Sequence, residues 1–194
     1  LADTGAWKTA WRLLLVTTCT DHGLVFIAEC PACERPFRDQ RHSHLRRVGA
    51  ATVCGNPLGQ GPLKQCQHDL AAIPTTPASE DVLTLQRRVD SALAGHAVTV
   101  LGQAAKPGAY LTDLRHLTTL LLHLAGQPGA TQLAPWVSEL AEEADARRGV
   151  RGPRWGLRPP EQPGLRAAAL VTADGILTAP AVDAAAGLDR KSVV

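Results

Sequence analysis

Apolar residues recur every three or four positions between Ser79 and Gly95, which predicts an amphipathic helix. Ser79 is a favoured N-cap, and the acidic residues that follow it lie where the helix dipole favours negative charge. Glycine commonly ends helices, so the helix is expected to end at Gly95. The stripe expected to face inward consists of Val82, Leu85, Val89 and Leu93.

Further helices are predicted downstream. One starts near Thr112, after a turn at 106–108, and ends at Gly126; another spans 135–148. An alanine-rich helical segment begins at Leu165 and is expected to break at Asp174-Gly175. The expected inward positions are Leu114, Leu117, Leu121 and Leu124 in the second helix, and Trp136, Leu140 and Ala144 in the third.

The first third of the chain has no helical period. Residues 23–29 are β-branched and aromatic, which predicts a strand, and the β-rich end of residues 1–17 predicts another. Trp7 and Trp11 are interpreted as a small apolar core. The glycine and proline content predicts a loop over 54–63, a domain boundary over 71–77 and a linker over 149–164.

All five cysteines lie between residues 19 and 66. A redox role for Cys30-Pro-Ala-Cys33 needs an amphipathic helix after the pair, but the following residues contain a proline and have no apolar period. A disulfide framework is disfavoured by the odd cysteine count and by the lack of a visible signal peptide. Structural Zn²⁺ is the favoured interpretation.

Two groupings of ligands satisfy four-coordination. Cys19, His22, Cys30 and Cys33 form one closed set, but a strand over 23–29 would hold its ends more than about 20 Å apart. We therefore expect an interleaved arrangement, in which Cys19 and His22 belong to a second site completed upstream of residue 1. His68 is an alternative ligand, as are His42 and His44. The preferred first site consists of Cys30, Cys33, Cys54 and Cys66.

The net charge of +2 is small, but its distribution is uneven. A basic loop held between metal ligands suits the phosphates of double-stranded DNA, since neutralised phosphates release counterions. Apolar runs are too short for a membrane span, so we expect a cytoplasmic protein. No catalytic motif is present, which predicts a non-enzyme without a small-molecule substrate. The arginines between Cys33 and Cys54 are Arg35, Arg38, Arg41, Arg46 and Arg47.

Both ends of the chain suggest a fragment. The sequence has no methionine, so Leu1 is not expected to be a natural start. The tail 189–194 back-translates into the beginning of a common sequencing adapter, and we expect it to be adapter-derived. The predicted organisation is a zinc-ribbon-like module (1–73), a helical domain (74–148), a Pro/Gly/Arg linker (149–164), the start of a truncated helical segment (165–188) and this tail.

Several motifs in order carry a family resemblance: Trp11-Arg-Leu, Cys19-x-x-His22-Gly, Leu24, Cys30-Pro-x-Cys33, Cys54-Gly-Asn-Pro and Cys66-x-x-Asp69-Leu70. They resemble the TniQ family, which with TnsD comprises target-selection accessory proteins of bacterial transposition systems. Typical members carry a Cys-Pro-x-Cys pair just ahead of this chain's first residue, which would supply the missing half-site. Tyr110-Leu-Thr-Asp-Leu-Arg115 also resembles actinobacterial members, and the resemblance covers about residues 1–125.

The expected fold class is small α+β, with the zinc-ribbon-like module followed by an α-helical domain. The resemblance implies a non-catalytic, zinc-binding protein that recognises or marks target DNA and bridges it to a transposition ATPase or effector complex. The alternative is a zinc-stabilised protein–protein adaptor without direct DNA contact.

Overall fold

The computed structural model describes residues 8–37, 52–59, 64–127, 130, 134–146 and 154–181. Contacts between residues divide the chain into two units. The cysteine unit comprises Leu1–Lys8 and Ile27–Thr76, and the helical unit comprises Thr9–Phe26 and Pro77–Val194. The fold class is small α+β, with short antiparallel strand pairs and four α-helices in the described part of the chain.

The strands pair with their neighbours in sequence, β1 with β2, β3 with β4 and β5 with β6. Short 3₁₀ helices occupy Thr9–Arg12 and Leu70–Ala72. None of the described helices is long and apolar enough to cross a membrane. The elements in chain order are β1 (Thr18–Cys19), β2 (Leu24–Val25), β3 (Glu29–Cys30), β4 (Arg35–Pro36), α1 (Glu80–Leu93), β5 (Val98–Val100), β6 (Gln103–Ala105), α2 (Pro107–Ala125), α3 (Trp136–Ala146) and α4 (Pro163–Leu177).

The predicted ends of α1 are confirmed, but the predicted start of α2 is wrong. Ser79 is the N-cap of α1, and Gly95 follows its end with a φ of +92° that glycine adopts readily. Helix α2 begins at Pro107, five residues before the predicted Thr112. Proline at the first helical position needs no hydrogen-bond donor, so the Lys-Pro-Gly sequence starts the helix instead of forming a separate turn.

The buried faces of α1 and α2 differ from the predicted stripes. Leu85 and Val89 are buried as expected, whereas Leu93 and Leu124 are exposed. Helix α2 has leucines on several faces, so periodicity alone leaves the direction of its inward face undetermined. The buried positions are Leu85, Gln86, Val89 and Ala92 in α1, and Tyr110, Leu114, Thr118, Leu122 and Ala125 in α2.

Helix α4 runs without interruption through Asp174-Gly175, so the break predicted there is wrong. The Asp174 carboxylate is 6% exposed; it accepts a hydrogen bond from the Tyr110 hydroxyl at 2.7 Å and pairs with Arg88. These partners come from α2 and α1, so the three helices share one buried polar contact. Burial raises the pKa of Asp174, and burial together with this carboxylate raises the pKa of Tyr110.

The helical unit has two apolar clusters. The first joins α1, α2 and α4 around Tyr110 and Leu114, and Trp11 packs against it with its ring centroid 5.2 Å from that of Phe26. Trp11 thus contributes to the helical unit and not to a core around the cysteines; Trp7 lies outside the described residues. The second cluster joins α2, α3 and α4 around Leu140 and includes Trp155, a residue of the predicted linker, which is 2% exposed.

Candidate metal centre

Four cysteines of the cysteine unit converge on one point. The sulfur atoms of Cys30, Cys33, Cys54 and Cys66 all lie within 4.8 Å of one another. The Sγ atoms of Cys30 and Cys66 are 3.8 Å apart, as are those of Cys33 and Cys54. No disulfide links these cysteines. The structure therefore brings together the four residues of the preferred first site.

The first pair lies on the β3–β4 hairpin. Cys30 pairs with Arg35 in the antiparallel ladder, and the Glu34 N–H donates to the Cys30 carbonyl at 2.8 Å to close the turn. Glu34 has a φ of +52°, a left-handed conformation that lets the chain reverse directly after Cys33. The backbone N–H groups of Ala32 and Cys33 donate to the Cys30 sulfur. The hairpin thus presents both sulfurs on one side of a tight turn.

The second pair is closed by backbone hydrogen bonds across a longer connection. The Cys54 N–H donates to the His68 carbonyl at 3.0 Å, and the Gly55 N–H donates to the Cys66 carbonyl at 2.9 Å. Isolated antiparallel bridges between Val53 and Asp69 and between Pro57 and Gln65 flank these bonds. This pairing brings Cys54 beside Cys66 despite their wide spacing in sequence.

Burial and hydrogen bonding act differently on the four thiols. Cys30 and Cys66 are 0% and 5% exposed, whereas Cys33 and Cys54 are half-buried. Burial raises the pKa values of Cys54 and Cys66. Burial also acts to raise the pKa of Cys30, but the backbone N–H groups of Ala32 and Cys33 and the neighbouring thiols of Cys33 and Cys54 together lower it. Four neighbouring thiolates therefore need a cation among them to be stable together.

Two of the sulfur–sulfur distances match those of a tetrahedral zinc site, and all of them are within 4.8 Å. Zinc binds thiolate at about 2.3 Å, which places the corners of a regular tetrahedron about 3.8 Å apart. The two measured sulfur pairs have that separation. Among the described residues, this is the one cluster of three or more His, Cys, Asp or Glu side chains that could hold a metal ion. All of its potential ligand atoms are cysteine sulfurs.

Asn56 is a site residue that was not predicted from the sequence, although it stands in the Cys54-Gly-Asn-Pro motif. Its side chain is 1% exposed and donates to the Cys33 sulfur at 3.5 Å and to the carbonyls of Arg35 and Pro36, each at 3.2 Å. Its place in that motif, two residues after Cys54, is the sequence signal that could have pointed to it. The burial of its amide depends on β4, which the local sequence does not indicate.

Cys19 and His22 lie in the other unit and do not join the four-cysteine cluster. Cys19 is in β1, 7% exposed, and its sulfur is 3.2 Å from Nδ1 of His22. The single strand predicted over 23–29 is wrong, because β2 and β3 belong to different hairpins and residues 26–28 between them are irregular. The chain thus separates Cys19 from Cys30 by assigning them to two hairpins.

Of the other predicted site residues, Arg35 and His68 are described. Arg35 is exposed on β4, and its guanidinium donates to the Pro57 carbonyl. His68 does not join the cluster; its Nε2 is buried and has no hydrogen-bond partner. The remaining predicted residues lie outside the described part of the chain: Arg38, Arg41, His42, His44, Arg46 and Arg47.

No family model matches this chain, and neither the curated proteins nor the solved structures contain a match.

Proposed function

We propose that Cys30, Cys33, Cys54 and Cys66 bind one structural Zn²⁺ ion, making the cysteine unit a zinc-ribbon-like module. The observation that carries this proposal is the convergence of the four sulfurs within 4.8 Å. Four protein ligands fill a tetrahedral zinc site and leave no open position for a water or a substrate. The ion would therefore stabilise the fold and supply no catalytic chemistry.

The chain acts, in this proposal, as a non-catalytic accessory protein of DNA transposition that recognises or marks target DNA and bridges it to a transposition ATPase or effector complex. The resemblance of its ordered motifs to the TniQ family supports this role. The arginines between Cys33 and Cys54 give it a physical basis, because one metal site would anchor both ends of that basic segment. The contact would be to phosphates of duplex DNA.

The first test is the zinc content of the purified protein. One zinc per chain, lost on replacement of Cys66 by alanine and retained on replacement of Cys19 by alanine, supports the four-cysteine site. Two zinc ions per chain would assign a second site to Cys19 and His22, completed by ligands outside the described residues. Zinc-free protein would overturn the metal proposal.

The second test is the salt dependence of duplex DNA binding. Replacing Arg38 and Arg41 with glutamine should reduce the slope of log affinity against log salt by about 0.9 per lost phosphate contact. The control is Arg87→Gln, because Arg87 is an exposed arginine of the helical unit with a 56% exposed side chain. Equal effects of both changes, or affinity independent of salt, would contradict contact through this segment.

The alternative function is a zinc-stabilised protein–protein adaptor without direct DNA contact. The observation that favours it is a pair of exposed leucines one turn apart on α2, Leu120 at 58% and Leu124 at 55% exposed. A partner ATPase would cover these side chains. Replacing both with serine should then abolish binding to the partner ATPase while the arginine replacements leave it intact; the reverse pattern excludes the adaptor.

A further inference from the structure

Asn56 contacts three of the four cysteines directly. Its side-chain Nδ2 donates to the Cys33 sulfur at 3.5 Å, and its backbone N–H donates to the Cys54 sulfur. Its backbone carbonyl accepts a hydrogen bond from the Cys66 N–H at 2.7 Å. One buried residue thus reaches one sulfur of the hairpin pair and both members of the second pair.

The same side chain also reaches the strand that positions the fourth cysteine. Nδ2 lies 3.2 Å from the carbonyl oxygens of Arg35 and Pro36, and Arg35 is the ladder partner of Cys30. An amide nitrogen carries two hydrogens, so one of them is shared between two of the three acceptors. The Asn56 side chain therefore links the β3–β4 hairpin to the turn that carries Cys54.

We propose that Asn56 is a positioning residue for metal binding, and that its side-chain amide both joins the two cysteine pairs and donates to the metal-bound sulfur of Cys33. This inference rests on the proposed metal site. Four thiolates around a divalent ion carry a net negative charge, and N–H donors directed at the sulfurs stabilise that charge. Such outer partners also hold the ligands in place before the ion arrives.

Asn56→Asp tests the amide with almost no change in volume. The substitution exchanges the N–H donor for a carboxylate oxygen, which faces the Cys33 sulfur and two carbonyls that are all acceptors. The matched control is Gln67→Glu, which makes the same amide-to-carboxylate change in the same unit. Gln67 is exposed, and its amide donates to the Gln65 carbonyl at 3.3 Å.

The experiment is a Co²⁺ titration of the full chain followed by zinc competition, at constant pH. Loss of an outer-shell partner typically weakens metal binding about 10- to 100-fold, and we expect this range for Asn56→Asp. The Gln67→Glu control should bind as the unmodified chain does. An Asn56→Asp affinity equal to that of the control would overturn the inference.

Asn56→Ala, saturated with Co²⁺, separates positioning from general stability and serves if the aspartate variant does not fold. A hydrogen bond lowers the energy of sulfur lone pairs, so its loss should move the sulfur-to-cobalt charge-transfer band to longer wavelength. Ile73→Ala, which removes a buried side chain of the same unit, should lower thermal stability and leave the band unchanged. An unmoved band in Asn56→Ala would overturn the inference.

The outcomes distinguish this inference from the proposal on which it rests. If the unmodified chain does not bind Co²⁺ or Zn²⁺, the metal site itself is wrong. If it binds and Asn56→Asp and Asn56→Ala match it in affinity and spectrum, the metal site stands and the role of Asn56 is wrong.

Discussion

If the four cysteines hold the proposed zinc ion, its removal should unfold the cysteine unit and leave the helical unit folded. In the described part of the cysteine unit, the buried apolar residues are Ile73 and the two cysteines Cys30 and Cys66, so little apolar surface is buried there. Burying one such side chain stabilises a fold by about 1.5–3 kcal/mol. Fixing the backbone of a single residue costs about 1–2 kcal/mol, so ordering only a few residues cancels that gain. Structural zinc contributes on the order of 10 kcal/mol, which makes its removal decisive for this unit.

We expect the helical unit to stay folded without the metal, because it has apolar clusters of its own. Its two clusters bury large side chains including Leu85, Tyr110, Leu114 and Leu140, each at most 1% exposed. All four described α-helices belong to this unit, so the far-UV circular dichroism reports mainly on it. The cysteine unit has its own reporter, because it contains four of the five cysteines.

The assay combines thiol labelling with circular dichroism before and after a chelator is added. We expect four thiols to become reactive on chelation while the helical signal stays constant, and the remaining thiol to be Cys19, which is 7% exposed in β1. In a Cys19→Ser control, chelation should leave no protected thiol. Helical signal lost in step with labelling, or labelling unaffected by the chelator, would refute the reasoning.

Three further predictions concern the helical unit. Tyr110→Phe removes the hydroxyl that donates to buried Asp174 and should cost about 1–3 kcal/mol in urea unfolding; a loss below about 0.5 kcal/mol would contradict the contact. Burial raises the pKa of Asp174, so the folded state binds the Asp174 proton more tightly than the unfolded chain does. Protonation of Asp174 therefore stabilises the fold; this contribution is full below the ordinary pKa of 3.8 and is lost as pH rises through the folded pKa. The stability of the unmodified chain relative to Asp174→Asn should therefore fall with rising pH across that window, and a rise measured by denaturation at several pH values would reverse the sign. Leu114→Ala should cost about 2–5 kcal/mol because Leu114 is fully buried, whereas Leu124→Ala on the exposed face should change stability by less than about 0.5 kcal/mol; similar losses in thermal unfolding would mean that the face of α2 is misassigned.

Local signals in the sequence were sufficient to predict that most of the elements exist. The N-cap at Ser79 and the glycine at 95 bound α1 because capping depends on residues adjacent in sequence. The inward face of α2 could not be predicted from the sequence, because its many leucines lie on several faces and the neighbouring helices select one of them. Asp174 likewise reads locally as a helix breaker, yet Tyr110 and Arg88 satisfy its carboxylate from other helices.

The spacing of the cysteines by itself identified Cys30 and Cys33 as a ligand pair, since a Cys-x-x-Cys turn directs two sulfurs at one point whatever surrounds it. It left two groupings of four ligands, and the preference for Cys54 and Cys66 depended on the strand predicted over 23–29. Cys19 is separated from Cys30, as predicted, but the structural cause differs from the one inferred from the sequence. A continuous strand was expected between them, whereas two short strands fall in different hairpins.

Only the tertiary structure decided how Cys54 meets Cys66 and how Asn56 joins the two pairs. The hydrogen bonds that close the second pair join residues far apart in sequence, such as Cys54 and His68. The Asn56 amide is useful only because β4 places carbonyl groups and the Cys33 sulfur within its reach. Residue identity and local spacing therefore indicate the candidate donors, and long-range backbone pairing determines which four of them meet and in what geometry.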